Sequence, residues 1–434
     1  MKETESILQL YRSSKERRVP MALATVVNKS GSAYRRPGAR MLVAADGQSA
    51  GSISGGCVER DLIERASELG TWDAPRLLTY RAEHGDPYDF GSGCEGIIYT
   101  LVEPLRLDVP ADSVLNSDIF SAHRNSQNAA SAFVDPIEVL ETVHRNRCIA
   151  YSATVFSAPE KSRDMVGRRV VQFHDGAAAV GGAFDNSGLF VEIMIASTKL
   201  FSKGPAFTKF IDTAEGTFGV FFEKIEPPIK LVIFGGGDDA VPLSAFASVL
   251  GLAHSIVDHR PGLISEDRFP AAEQLLRLRP EQYPLRLSID QFTACVVMHH
   301  NYDSDKEVVR FLLEGSTTPY IGVLGPKRRS MRILSEIKQN RSADIIDSRR
   351  SSLFAPVGLD IGAETPEEIA LSVIAEITTY FKNKAAHLLR DKDGPIHDAF
   401  DRGNSDREDL ELVGNGDGFD DGGSVEYVHL QCRI

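Results

Sequence analysis

The chain predicts an α/β protein: an N-terminal α/β module followed by a C-terminal Rossmann-like, doubly wound parallel sheet. Two observations carry this. Past residue 229, buried strand-like runs at 231–234, 253–257 and 294–298 alternate with a helical stretch at 240–250, which is the pattern of a parallel sheet wound on both faces. Before residue 105, three glycine-rich loops border short apolar runs, with an amphipathic helix among them. Pro227 and Pro228 mark the boundary, because neither proline can donate to a strand ladder. The expected division is therefore 1–226, 229–390, and an acidic, glycine-rich tail over 391–434 that cannot readily bury a core and is expected to be disordered.

In chain order, a short helix is expected around 4–14, a strand over 20–27, an arginine-bearing loop, a strand over 40–45 and a turn at Asp46-Gly47. A helix then starts at Cys57, because Val58, Leu62, Ile63, Ala66 and Leu69 share one face. Glu59, Arg60, Asp61, Glu64, Arg65 and Glu68 fall mostly on the other. Strands follow near 76–81 and 97–102, whereas 106–134 shows neither period and reads as a linker or surface insertion. Runs at 148–156, 169–173, 189–193 and 217–224 read as further strands completing the first domain's sheet. In the second part, Thr365, Pro366 and Glu368 spell a helix start: a threonine cap, a proline at the first helical position and a glutamate that returns the capping bond. The apolar run 425–430 receives no assignment.

Size and charge narrow the function classes. With 434 residues, two domains plus an extension is the natural expectation. A formal charge of −13 argues against general nucleic-acid binding, although Lys327-Arg328-Arg329 could serve a local anion site. No run approaches a membrane span or a signal sequence, so a cytoplasmic protein is expected. The five cysteines, at 57, 94, 148, 295 and 432, form no Cys-x-x-Cys pair and read as reduced thiols.

The chemistry concentrates at Ser54-Gly55-Gly56-Cys57. A thiol in a first helical turn faces unpaired N–H groups and the positive end of the helix dipole, both of which favour thiolate. Cys57 is thus a candidate metal ligand or nucleophile, with Gly55 and Gly56 letting a ligand approach the backbone; the plainer alternative is a small buried cysteine beside a tight turn. Arg35, Arg36 and Arg40 in the preceding loop suit a phosphate-bearing ligand, though each alone could be a solvated surface charge. A third loop carries Cys94, where Glu95 adds a negative charge that ranks it behind Cys57.

The order and wording of these loops resemble the XdhC/CoxI family of xanthine dehydrogenase accessory proteins. The resemblance continues through Leu231-Val-Ile-Phe-Gly-Gly-Gly237, Val257-Asp-His-Arg-Pro261, Val296-Val-Met-His-His-Asn-Tyr-Asp303 and Pro356-Val-Gly-Leu-Asp-Ile-Gly362. It covers roughly 18–105 and 218–382 and implies a chaperone that binds molybdenum cofactor transiently. Its client would be a molybdenum hydroxylase such as xanthine dehydrogenase, with a cysteine desulfurase as candidate sulfur donor and self-association open. On that reading Ser54, Gly55, Gly56, Cys57, Arg36, Arg40 and Cys94 bind the cofactor, and Cys57 contacts the metal.

A second glycine motif, Gly235-x-Gly237-x-x-Ala240, lies between a strand and a helix, with Asp258 ending the next strand. That context supports a Rossmann-like fold and leaves NAD(P) binding open through Gly235, Gly237 and Asp258. Asp238 and Asp239 argue the other way, since they place negative charge where a pyrophosphate would sit and Asp238 could cap the helix itself. His299 and His300 alternate across a strand, which fits hydrogen bonding better than one shared metal. Two rival readings therefore stay open: an NAD(P)-dependent oxidoreductase, and a protein-binding scaffold without a cofactor.

Overall fold

The computed structural model describes residues 2–31, 35–66, 68, 72, 74–81, 97–107, 134–174, 178–181, 187–203, 206–340, 343–393 and 425–429. The chain divides into two compact units, one comprising Glu3–Pro227 with His397–Ile434, the other Met1–Lys2 with Pro228–Ile396.

The first unit opens with α1 (Lys2–Glu16), then β1 (Met21–Ser30), β2 (Arg40–Ala44), β3 (Ser49–Gly51), α2 (Cys57–Arg65), β4 (Arg76–Arg81) and β5 (Ile97–Pro104). Its first sheet has the order β17-β4-β5-β1-β2-β3, where β17 (Val425–His429) runs parallel to β4 and the other neighbours are antiparallel. The apolar run of the tail, inside a segment expected to lack structure, thus supplies an edge strand. β1 is buried on both faces. Ala22, Ala24 and Val26 pack with Val58 and Leu62 of α2 and with Ala66 just after it, while Met21 and Leu23 pack with Ile7, Leu8 and Tyr11 of α1. That two-sided cover explains why the strand reads as a continuous apolar run instead of an alternating one.

Downstream, α3 (Pro136–Asn146) is capped by Asp135, which accepts from Ile137 N at 2.9 Å. A second sheet of order β8-β7-β6-β10-β9 is built from β6 (Ala150–Ser157), β7 (Arg169–Phe173), β8 (Ala178–Gly181), β9 (Ala206–Thr213) and β10 (Gly216–Ile225), all antiparallel. Two expectations are corrected here. These strands form a sheet of their own, because Phe156, Val166 and Phe221 cover Val27, Leu77, Tyr99 and Leu101 of the first sheet face to face. The run at 189–193 lies within a helix, α4 (Ser187–Lys203), whose Leu189, Ile193 and Ala196 are buried at helical spacing.

The second unit is a six-stranded parallel sheet with β11 (Lys230–Phe234), β12 (Ala253–Val257), β13 (Gln274–Leu276), β14 (Thr293–Val297), β15 (Tyr320–Val323) and β16 (Leu353–Phe354). The order β13-β12-β11-β14-β15-β16 makes it doubly wound, with its switch point between β11 and β14. Helices α5 (Ala240–Val249), α6 (Tyr283–Arg286), α7 (Tyr302–Gly315), α8 (Lys327–Asn340), α9 (Ala343–Ser348) and α10 (Pro366–Phe381) complete it. One core joins Val308, Leu312, Ile333 and Ile337 to one face of the sheet, and another joins Leu243, Ala247, Val373 and Ile377 to the opposite face. The reciprocal cap of α10 is present: Thr365 Oγ1 accepts from Glu368 N at 3.3 Å and Glu368 Oε2 accepts from Thr365 N at 3.0 Å. Among the described residues no helix is long and apolar enough to cross a membrane.

Candidate functional site

In the first unit, Cys57 opens α2 as its spacing predicts, and the loop before it is organised by an acid from the helix's own first turn. Glu59 Oε1 accepts from Ser52 Oγ at 2.8 Å, Ile53 N at 3.0 Å and Ser54 N at 2.6 Å; Oε2 accepts from Gly56 N at 2.9 Å and from Ser54 Oγ. Burial pushes the Glu59 carboxyl up, but the hydrogen bonds from Ser54 and Ser52 outweigh it and hold the group below its ordinary value. Three N–H groups that an anion could have used are therefore committed to Glu59. The open part of the loop is its glycine step: a Cβ at Gly55 or Gly56 would meet nothing within 4 Å, and Gly56 has φ +134°, where only glycine is unstrained. Ser54 itself is buried.

The arginine loop is tied to the cysteine loop through α1. Glu3 Oε1 accepts from Ser52 N at 2.9 Å and from Arg35 Nη2 at 2.9 Å, and Arg35 stands 2.6 Å from Glu3 Oε2. Arg40 pairs with Glu223 at 2.5 Å in a largely buried contact. Arg36 is exposed, and no ion pair engages it among the described residues. Glu3, Arg35, Arg36 and Arg40, with Ile7, Gly38 and Leu140, line a cleft of about 350 Å³. The structure thus places Arg36 and Arg40 on one cleft and ties Arg35 of the same loop to Ser52, ahead of Ser54-Gly55-Gly56-Cys57, while Cys94 lies outside the described residues. Sequence reasoning missed Glu3 and Glu59. Only Glu59 left a trace, three residues after the helix cap, at capping-box spacing.

In the second unit the glycine turn after β11 is closed by the chain's own groups. Gly235 N donates to Val257 O at 2.9 Å, and Gly236 N donates to Asp258 Oδ2 at 2.8 Å. Asp258 is fully buried and forks onto Arg260, with Nε to Oδ1 at 3.0 Å and Nη2 to Oδ2 at 2.7 Å. Burial raises its carboxyl, but Arg260 and the backbone N–H groups of Gly236 and Arg260 prevail and bring it down to about 2. Arg268 spans the same turn, reaching Gly236 O at 3.1 Å and Asp238 at 2.9 Å. Asp239 pairs with His300 at 2.9 Å, and Asp239, not Asp238, stands at the helix cap, without a side-chain capping bond. Gly237 faces His300, 3.9 Å from where a Cβ would stand. Both acids at the turn therefore have side-chain partners from elsewhere in the unit, Arg268 for Asp238 and His300 for Asp239, which the sequence order hides.

Comparison with known proteins agrees with this architecture. The XdhC and CoxI family profile matches residues 14–81, and the XdhC Rossmann domain profile matches residues 231–377. A Bacillus subtilis (strain 168) protein described as a probable subunit of xanthine dehydrogenase is 30% identical over 82% of this chain and 91% of its own length. An uncharacterized Escherichia coli (strain K12) protein, YqeB, is 24% identical over 86% of this chain, which spans only 46% of that relative. Among solved structures, a xanthine dehydrogenase from Bacillus halodurans superposes with a TM-score of 0.63 at 26% identity, covering 88% of this chain and 97% of the other. In fold, in the order of its motifs and in matched length, the chain belongs to the XdhC and CoxI family.

Proposed function

We propose that this protein is an accessory chaperone for a xanthine dehydrogenase-like molybdenum hydroxylase, holding molybdenum cofactor during its sulfuration and insertion. The observation that carries this reading is the Glu3 bridge, which joins the arginine loop to the loop that opens the Cys57 helix. This link supports the reading, because the loop bearing Arg35 and the exposed Arg36 is joined to the segment that runs into the open glycine step and the helix-start cysteine. The donor set fits the group: a soft thiolate suits a sulfur-coordinated metal, and Arg36 suits a phosphate. When bound in the client enzyme, the cofactor would supply its redox-active hydroxylation centre. The chain's own part is to bind and release it, and one exchangeable thiolate releases more readily than a closed cage. A cysteine desulfurase would serve as sulfur donor. Purification from cells that make molybdenum cofactor, followed by metal and pterin analysis, tests the reading: near-stoichiometric molybdenum and pterin support it, and their absence contradicts it.

A second reading, NAD(P) binding, is favoured by the strand order and by the glycine turn at the switch point. Against it, Asp258 and the Gly236 N–H already satisfy each other and Arg260. Weak or undetectable NAD(P) affinity by calorimetry at low salt is the expected outcome, and submicromolar affinity would show that these contacts open for a nucleotide.

A further inference from the structure

At the switch point of the second unit, Asp258, His259 and His299 bring one donor atom each to within 4.8 Å of one another. Asp258 and His259 follow β12, and His299 follows β14, so the group straddles β11 from both sides. His299 is buried, with its side chain 1% exposed. Its Nδ1 lies 3.1 Å from Asp305 Oδ1, and Asp305 is held in turn by Arg329 at 2.6 Å. With Nδ1 committed, Nε2 is the nitrogen left to His299, and it is buried with no hydrogen-bond partner. A buried imidazole nitrogen without a partner is costly in a folded protein, so it asks for a ligand. A carboxylate on the far nitrogen is the arrangement that orients metal-binding histidines.

We propose that Asp258, His259 and His299 form a binding site for a divalent transition-metal ion of the zinc or ferrous class, with Asp305 and Arg329 orienting His299. Two imidazoles and one carboxylate are a recurrent donor set for such ions and leave coordination positions open. Donors around such an ion stand about 3.3 Å apart, so binding draws these atoms together by at most about 1.5 Å. His259, with its side chain 37% exposed, has room for that movement. Without metal, Asp258 Oδ1 carries both the backbone N–H and Nε of Arg260, at 2.9 and 3.0 Å, which fills that oxygen. Arg260 is therefore the competitor: its side chain is 38% exposed and can leave Asp258 for water when the ion arrives.

The test is a titration of the full-length chain with Zn²⁺ against a chromogenic chelator, in a Cys57→Ser background so that the helix-start thiol does not contribute. One equivalent should bind, His259→Ala should weaken binding at least tenfold, and Arg260→Ala should tighten it several-fold. His299→Gln should also weaken binding; if that buried substitution prevents folding, the partly exposed His259→Ala decides alone. A Co²⁺ complex should show d–d absorption without a thiolate charge-transfer band. Absence of saturable Zn²⁺ binding, an affinity unchanged in folded His259→Ala, or a thiolate band in the cobalt spectrum would overturn the proposal.

Discussion

Arg35 Nη2 lies 2.6 Å from Glu3 Oε2, and the other oxygen of that carboxylate accepts the backbone N–H of Ser52 at 2.9 Å. One acid in the first turn of α1 thereby holds two loops that are separate in sequence. If this bridge positions the cysteine loop, Glu3→Ala should lower stability by about 1–2 kcal/mol, the scale of charge-assisted hydrogen bonds at a half-exposed site. It should also lower cofactor retention, whereas Glu3→Gln should recover part of both. Thermal melts and molybdenum content, measured on the same preparations, check the pair of effects.

The arginines of the cleft should separate by role. Arg40→Ala strips Glu223 of its partner in a largely buried pair and should cost about 2–3 kcal/mol. Arg36→Ala touches an exposed side chain and should leave stability within about 0.5 kcal/mol while weakening cofactor retention. Equal retention in Arg36→Ala and wild type would remove Arg36 from the phosphate role.

Legibility in the sequence followed the range of the interactions involved. Helix starts at Cys57 and Pro366 were readable because their caps are local, and the Rossmann-like alternation because each strand and helix is a contiguous run. Leu189 to Ile193 misled because a short apolar run has the same composition in a buried helix and in a strand, and only its burial at helical spacing decides. The separate second sheet was hidden because sheet membership depends on which face Phe156 and Phe221 cover. At the candidate sites, the residues predicted to meet ligands were visible, but their partners were not. Glu3 to Arg35, Arg268 to Asp238 and His300 to Asp239 are all pairings across long stretches of chain.

Glu59 should give the cysteine loop an acid-sensitive component. Its carboxyl is held below the ordinary value of 4.5 in the folded chain, so its stabilisation is complete above that pH and is lost as pH falls through the folded value. Glu59→Gln should therefore lower the melting temperature at neutral pH and flatten the decline in stability as pH falls below the ordinary carboxyl value of 4.5. An unchanged slope in the variant would show that the loop is held by other groups.

Asp258 should act in a lower window. With its carboxyl brought down to about 2, its contribution persists above the ordinary value of 3.8 and fades as pH falls toward 2. Asp258→Asn should destabilise the second unit by about 2–3 kcal/mol at neutral pH, because Arg260 and the Gly236 N–H lose a charged acceptor. Denaturant melts at neutral pH and near pH 3 check both the size and the direction.

Removal of residues 394–434 takes β17 from the edge of β4. Amide exchange in Leu77–Arg81 should then accelerate by at least tenfold, while exchange in the parallel sheet of the second unit stays unchanged. Unchanged protection in β4 would mean that β17 adds nothing to that edge.

The central claim rests on the thiol that opens α2. Wild type and Cys57→Ala, purified side by side from cells making molybdenum cofactor, should share a melting temperature, because alanine suits a first helical turn. The variant should lose most of the molybdenum and pterin that the wild type retains, together with its ability to activate a xanthine dehydrogenase-like client. Equal molybdenum and pterin in the two proteins would contradict the account.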